Sequence, residues 1–442
     1  MISTSTRMDS RQVTHKRSQI GLFSAMAIGI GGMVGAGIFS ILGVVAEAAG
    51  TAMWVSFIVG GVVALLSTYS YAKLGSRYPS AGGAVEFLVK GFGDGVISGG
   101  INLYMWIGYV IALALYAQAF AGYSMTFLHP YSAQWLSKAI GIGIVLIFTG
   151  INFVGARTVG QSETFIVVVK LAILFIFAAA GLFFMHPGYL SPSQWPASSG
   201  IFFGAGVLFI GYEGFGLVTN AAEDMENPSV LLPKALYLSV IVVICIYIAV
   251  SVAVIGNLAL SQIVAAKDYA LAQAAKPFLG HFGFTLVAIG ALFSTASAIN
   301  ATLFGAANVS YMIARDGELP QVFSRHIWER SSGGLFITSA LVIIFILFFD
   351  LSGVAMMGSG AFLLIYACVH AAHLGLTSET LANKGMVWLS LIACLIMFGI
   401  LLIYMYQNSK AAVITMVVLI PICLGGEWIY RSVTNRKIAT RT

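Results

Sequence analysis

The sequence predicts an all-α membrane protein with twelve transmembrane helices, and three observations predict it. Of its 442 residues, 59% are hydrophobic and only 9% charged, where a soluble domain carries roughly 25% charged residues. Apolar runs of about 20 residues, the length a helix needs to cross a bilayer, recur along the chain. Lys and Arg gather in every second connection between those runs, the asymmetry that sets membrane orientation.

The runs lie near 20–46, 52–77, 96–128, 137–154, 161–185, 200–222, 233–257, 281–314, 334–350, 354–376, 385–406 and 411–431. They do not alternate in polarity, which excludes a closed β-barrel, the other structure that satisfies its own backbone in lipid. With the N-terminus inside, 17 Lys and Arg fall on the inside and 4 on the outside. An odd number of helices would disrupt that alternation. Both termini are therefore expected in the cytoplasm, with the chain in the plasma (cell inner) membrane.

Residues 1–19 form a polar, basic tail without the apolar core and cleavage site of a removable signal peptide, so the first helix is expected to direct insertion. The net charge of +6 sits in short loops and reads as topology, not as a nucleic-acid surface. Cys245, Cys368, Cys394 and Cys423 fall within apolar runs, with neither metal-ligand nor disulfide spacing; no metal or cofactor is expected. The 49 glycines suit helices that approach closely in lipid.

Two spans are expected to be interrupted. Span 1 contains Gly29, Gly31, Gly32, Gly35 and Gly37, five glycines in nine residues, each costing a helix about 1 kcal/mol relative to Ala. Span 6 contains Gly204, Gly206, Gly211, Gly214 and Gly216 around a charged Glu213. Close packing through small residues could account for either stretch alone. Their placement adds to that. Span 1 opens a set of five helices, 20–185, and span 6 opens a second set of five, 200–376. Spans 11 and 12, 385–431, and a tail, 432–442, follow. Five helices per set inverts the second relative to the first, and broken helices at matching positions of inverted repeats mark a transporter's binding site. A half-helix starting near Ala36 offers free N–H groups and a positive dipole end to a carboxylate. Half-helices ending near Met33 and Ile210 offer free carbonyls to an ammonium group. Together the two ends suit the zwitterion of an α-amino acid.

Four motifs stand in order along the chain: Gly35-Ala36-Gly37-Ile38-Phe39; Pro79-Ser80-Ala81-Gly82-Gly83; Gly211-Tyr212-Glu213 running on to Glu223-Asp224-Met225-Glu226-Asn227-Pro228 and Pro233; and Ala314-Arg315-Asp316-Gly317-Glu318-Leu319-Pro320. In these the sequence strongly resembles the amino acid–polyamine–organocation (APC) family, over spans 1 to 10, and is most similar to its proton-coupled, sodium-independent amino acid transporters of the ApcT type. The resemblance implies a LeuT-type fold of 5+5 inverted repeats with helices 1 and 6 discontinuous. It implies that the N–H groups of Ala36 and Gly37 hold the substrate carboxylate. The carbonyls of Met33 and Ile210 would hold its amino group, helped by that of Glu213. Some relatives carry a bulky aromatic gate where Ile210 stands here; Phe209 is adjacent and Phe215 further on.

Lys170 lies about nine residues inside span 5, too deep for a lysine that merely snorkels. A cation at mid-membrane costs at least about 2.5–3.5 kcal/mol, so it needs a partner or a task. The resemblance implies that its ammonium stands where sodium-coupled relatives bind Na⁺, bridging a span-1 carbonyl, Gly31 or Gly32, to a span-8 hydroxyl, Ser294 or Ser297. Two readings stay open: a lysine that loses and regains its proton in each cycle, or a permanently charged strut. Glu213 is likewise either a proton carrier or a cap on freed N–H groups. His370, His373, Asn300 and Asn308 read as packing or cross-helix bonds, Asn102, Tyr104 and Tyr109 as pathway lining, and Trp54 and Trp388 as interface anchors.

Other classes fit less well. A channel would show pore-lining rings or filter loops. An enzyme would need a nucleophile and base or a metal motif, and neither is present. A polyamine carrier would want several buried carboxylates, and an obligate exchanger remains the main alternative. The expectation is thus a secondary transporter moving amino acids by alternating access, with protons and the bilayer as its other partners.

Overall fold

The computed structural model describes residues 20–35, 37–80, 82–128, 134–154, 159–315, 326–328 and 331–434. The architecture is helical. In order come α1 (Leu22–Met33), α2 (Gly37–Ala49), α3 (Met53–Arg77), α4 (Ala84–Phe92), α5 (Val96–Met125), α6 (Gln134–Val154) and α7 (Val159–Phe184). Then follow α8 (Ser198–Leu208), a tightly wound 3-10 segment (Phe209–Asp224), α9 (Pro228–Asn257), α10 (Leu260–Ala265) and α11 (Ala270–Arg315). A short antiparallel pair, β1 (His326–Trp328) and β2 (Ser331–Ser332), precedes α12 (Gly333–Phe348), α13 (Leu351–Gly375), α14 (Lys384–Asn408) and α15 (Lys410–Thr434).

Among the described residues, ten stretches are long and apolar enough to cross a membrane. Two expected spans are not counted separately. The first and second fall in one stretch, Leu22–Arg77, and the ninth, Gly333–Phe348, has 16 residues, short of the roughly 20 a crossing needs. α11 is two helices in line, and the second follows the non-helical Gly280, where the span near 281 is expected to begin. Gly280 kinks the chain there, at φ +63° and ψ −157°, a conformation open to glycine and strained for other residues. Local chemistry sets other ends. The Asp350 carboxylate accepts from the Gly353 N–H at 3.0 Å and starts α13. Asn383 caps α14 in the same way, through Gly385 and Met386.

Burial sorts the helices. α5 sits at the centre, against α6, α11, α12, α13 and α15, and most of its residues are buried. α7, α14 and α15 turn large apolar side chains outward: Phe165, Val168, Phe175 and Ile176; Leu389, Ile392 and Ile396; Ile414, Val417 and Ile422. Apolar bands of that extent mark a surface covered by something other than water. With the hydropathy of the helices, that medium is lipid.

The interrupted helices face one another. α1 packs against the 3-10 segment, and α2 packs against α8. The first half of one unit therefore lies beside the second half of the other, so the two run antiparallel.

Candidate functional site

α1 ends at Met33, where the Val34 N–H closes the last turn on Ile30 O at 2.8 Å. α2 opens at Gly37. Val34 and Gly35 between them are non-helical; Ala36 lies outside the described residues. In the second unit, ordinary α-helix gives way to 3-10 winding at Phe209 and stays so for 16 residues. Runs of that kind longer than three or four residues are uncommon and mark hinges or strain.

Glycine lets the two units interlock. A Cβ on Gly37 would stand 2.8 Å from the Gly211 Cα, and one on Gly32 would stand 3.0 Å from the Gly214 carbonyl oxygen. A Cβ on Gly214 would overlap the Gly32–Met33 peptide. Both glycine clusters are thus used for close approach of backbone to backbone.

Unwound backbone buried among apolar side chains must find partners. Here hydroxyls from neighbouring helices supply many of them. Tyr247, fully buried on α9, donates from its phenol to Met33 O at 2.6 Å and to Gly211 O at 3.0 Å. Ser359 on α13 accepts from the Ile210 N–H at 2.9 Å and donates to Val207 O at 2.6 Å. Tyr366, two turns on, donates to Glu213 O at 2.6 Å. Tyr247, Ser359 and Tyr366 escaped the sequence reading. Their one signal was a hydroxyl in a helix with no aqueous face, where a buried phenol almost always has a partner.

Met33, Phe209 and Ile210 are buried at the meeting of the two units, and so is Gly37. The Met33 carbonyl, expected to face substrate, already accepts from Tyr247. The Ile210 side chain packs on Gly358 of α13 and the Phe209 ring sits edge-on to Tyr366, with centroids 5.7 Å apart. Glu213 is buried, and its carboxylate accepts from the Tyr116 phenol of α5 at 3.2 Å. Among the described residues no backbone N–H donates to that carboxylate. Beside it, with Tyr71, Tyr109, Phe362 and Tyr366, is a cavity of about 20 Å³, room for roughly one water.

Lys170 is buried on the inward face of α7, aligned with Val167, Leu174 and Phe177, opposite the lipid-facing Phe165, Val168 and Phe175. Its ammonium donates to Gly31 O at 2.8 Å, in the last turn of α1. Ser294 of α11 donates to Val34 O at 3.2 Å and closely to Gly35 O. Lysine and serine thus fasten carbonyls on either side of Met33, Gly31 before it and Val34 and Gly35 after it. Ser297 is half-buried one turn beyond Ser294, and Gly32 is taken up by its contact with Gly214. Elsewhere, Asn152 donates to Asn300 at 2.8 Å, a cross-helix bond. His370 and His373 bond Ser67 and Ser70 of α3.

Backbone left unwound inside a lipid-embedded bundle, between two antiparallel units, is the feature around which carriers build their substrate sites, and it places the molecule among helical membrane transporters. The sequence profile of the amino acid permease family matches residues 20–426, and the chain belongs to that family, a family of transporters and not of enzymes. It is 42% identical over 422 residues to an uncharacterized protein of Methanocaldococcus jannaschii, covering 95% of this chain and 97% of the other. It is 35% identical over 397 residues to the inner membrane transport protein YbaT of Escherichia coli, covering 89% and 92%. It is 26% identical over 322 residues to the methylthioribose transporter of Bacillus subtilis, covering 69% of each.

Proposed function

We propose that the protein is a sodium-independent, proton-coupled amino acid symporter of twelve spans with a LeuT-type 5+5 inverted repeat, both termini cytoplasmic. The observation that carries this reading is the Lys170 ammonium on Gly31 O at 2.8 Å, with Ser294 on Val34 O and Gly35 O beyond the end of the same helix. A protein cation at that place does the electrostatic work of a metal ion, and it can give up a proton where a metal ion cannot. The antiparallel packing of the interrupted units supports the inverted repeat.

In this reading the substrate carboxylate lies on the N–H groups of Ala36 and Gly37, and its ammonium on the carbonyls of Met33 and Ile210, with that of Glu213. Loss of the Lys170 proton weakens its hold on α1, and α1 moves with α9 and the 3-10 segment against the remaining helices. Rebinding of a proton restores the clamp. Glu213, held by Tyr116, positions the segment around it.

The test is uptake of a labelled amino-acid panel, with methylthioribose included, into proteoliposomes in sodium-free buffer. Accumulation above equilibrium only with an inward proton gradient is the expected result. Uptake that ignores the gradient and requires trapped internal amino acid would leave an exchanger with Lys170 as a fixed strut. Uptake of methylthioribose alone would remove the amino-acid assignment.

A further inference from the structure

A second cavity, of about 390 Å³, lies at the end of α3 and shares no lining residue with the one beside Glu213. Lys73, Ser76 and Arg77 of α3 form one wall, Tyr237 near the start of α9 another, and Glu379 and Leu381 beyond α13 a third. Among the described lining residues it holds two cations, Lys73 and Arg77, against one carboxylate. The Lys73 ammonium spends one N–H on Leu381 O, at 3.3 Å, and a lysine has three. Arg77 is exposed in the last turn of α3. The Ser76 hydroxyl is buried and has no hydrogen-bond partner among the described residues. The one carboxylate, Glu379, accepts from the Tyr78 phenol at 2.6 Å. Burial, and then that bond, push the phenol up to about 12, so it stays a neutral donor.

The rim is apolar. Leu381 is 85% exposed and held at φ +51°, a backbone conformation a branched side chain rarely takes. Leu238 and Ile241, within about one turn of the lining residue Tyr237 on α9, are also turned outward. A soluble anion has no use for such a rim, whereas a lipid has both an anionic head and chains to lay on it.

We propose that this cavity binds the phosphate of an anionic lipid, held by Lys73, Arg77 and the Ser76 hydroxyl, with its acyl chains along Leu381 and α9. Basic pockets between membrane helices hold acidic head groups in this way. The lipid would tie α3, α9 and the 379–381 segment together.

The experiment delipidates the full chain in detergent and adds phosphatidylglycerol, phosphatidylcholine of the same chains, or inorganic phosphate. Native mass spectrometry reads the bound adduct and a melting curve reads protection. The wild type should retain phosphatidylglycerol over phosphatidylcholine. Arg77→Gln should weaken retention about fivefold, and Lys73→Gln with Arg77→Gln about thirtyfold. Ser76→Leu, which removes the hydroxyl and narrows the cavity while leaving the cations, should weaken the preference. If Lys73→Gln fails to fold, Arg77→Gln and Ser76→Leu still decide. Equal retention by wild type and those variants, or no preference over phosphatidylcholine, overturns the site. Protection by inorganic phosphate at equal concentration overturns the lipid in favour of a soluble anion.

Discussion

The two interrupted helices are equally rich in glycine, yet they are interrupted differently. The first leaves the helix after Met33, at Val34 and Gly35, and its loose carbonyls are tied by Lys170, Ser294 and Tyr247 from three different helices. The second never opens. It tightens at Phe209 and stays tight to Asp224, supported by Ser359 and Tyr366 of a single helix, α13, and by Tyr247. Composition alone announces weakness. The partners decide whether weakness becomes a gap or an overwound turn.

If the first break is the coupled one, removing its cation should matter most. Lys170→Met deletes a charge-assisted hydrogen bond worth about 1.5–3 kcal/mol, and gradient-driven uptake should fall about 10- to 150-fold in proteoliposomes. Unchanged uptake would show that the clamp on Gly31 is dispensable. The interlock between the units comes next. Gly214→Ala drives a methyl into the Gly32–Met33 peptide, and overpacking of this kind costs about 1–3 kcal/mol. A melting temperature equal to the wild type's would contradict the close approach.

Tyr247 touches both breaks and Tyr366 only the second. Tyr247→Phe should therefore weaken substrate affinity more than Tyr366→Phe, by about tenfold against about threefold, for hydrogen bonds of about 0.5–1.5 kcal/mol each. Equilibrium binding of labelled substrate would rank them, and the reverse order would move the site toward α13. The smallest effect is expected at Glu213. Glu213→Gln keeps an oxygen for the Tyr116 phenol, so uptake should change less than about threefold, within the range of one neutral hydrogen bond. A collapse of gradient coupling with exchange intact would transfer the proton-carrying role from Lys170 to Glu213.

How far the sequence reveals this can be judged residue by residue. The lipid-embedded helices are legible because hydropathy acts locally, and the end of α1 at Met33 follows from glycines within a few positions of it. Lys170 is conspicuous because an apolar run surrounds it. Tyr247, Ser359 and Tyr366 are not conspicuous, because their partners are tens to hundreds of residues away and a hydroxyl in a helix is ambiguous. The nine-residue α4, between the second and third spans, is too short to register as a span. The break within α11 turns on the single dihedral of Gly280.

The Tyr247 phenol carries one hydrogen and faces two carbonyl oxygens, Met33 O and Gly211 O, one from each interrupted helix. One donor cannot fully serve two acceptors. The junction is therefore short of donors at the place where its two halves meet. A guest with a primary ammonium brings three N–H groups, and a guest with a methyl there brings none. In the proposed reading that scarcity is itself a recognition element, rewarding an amine over its hydrocarbon isostere with no negatively charged side chain required.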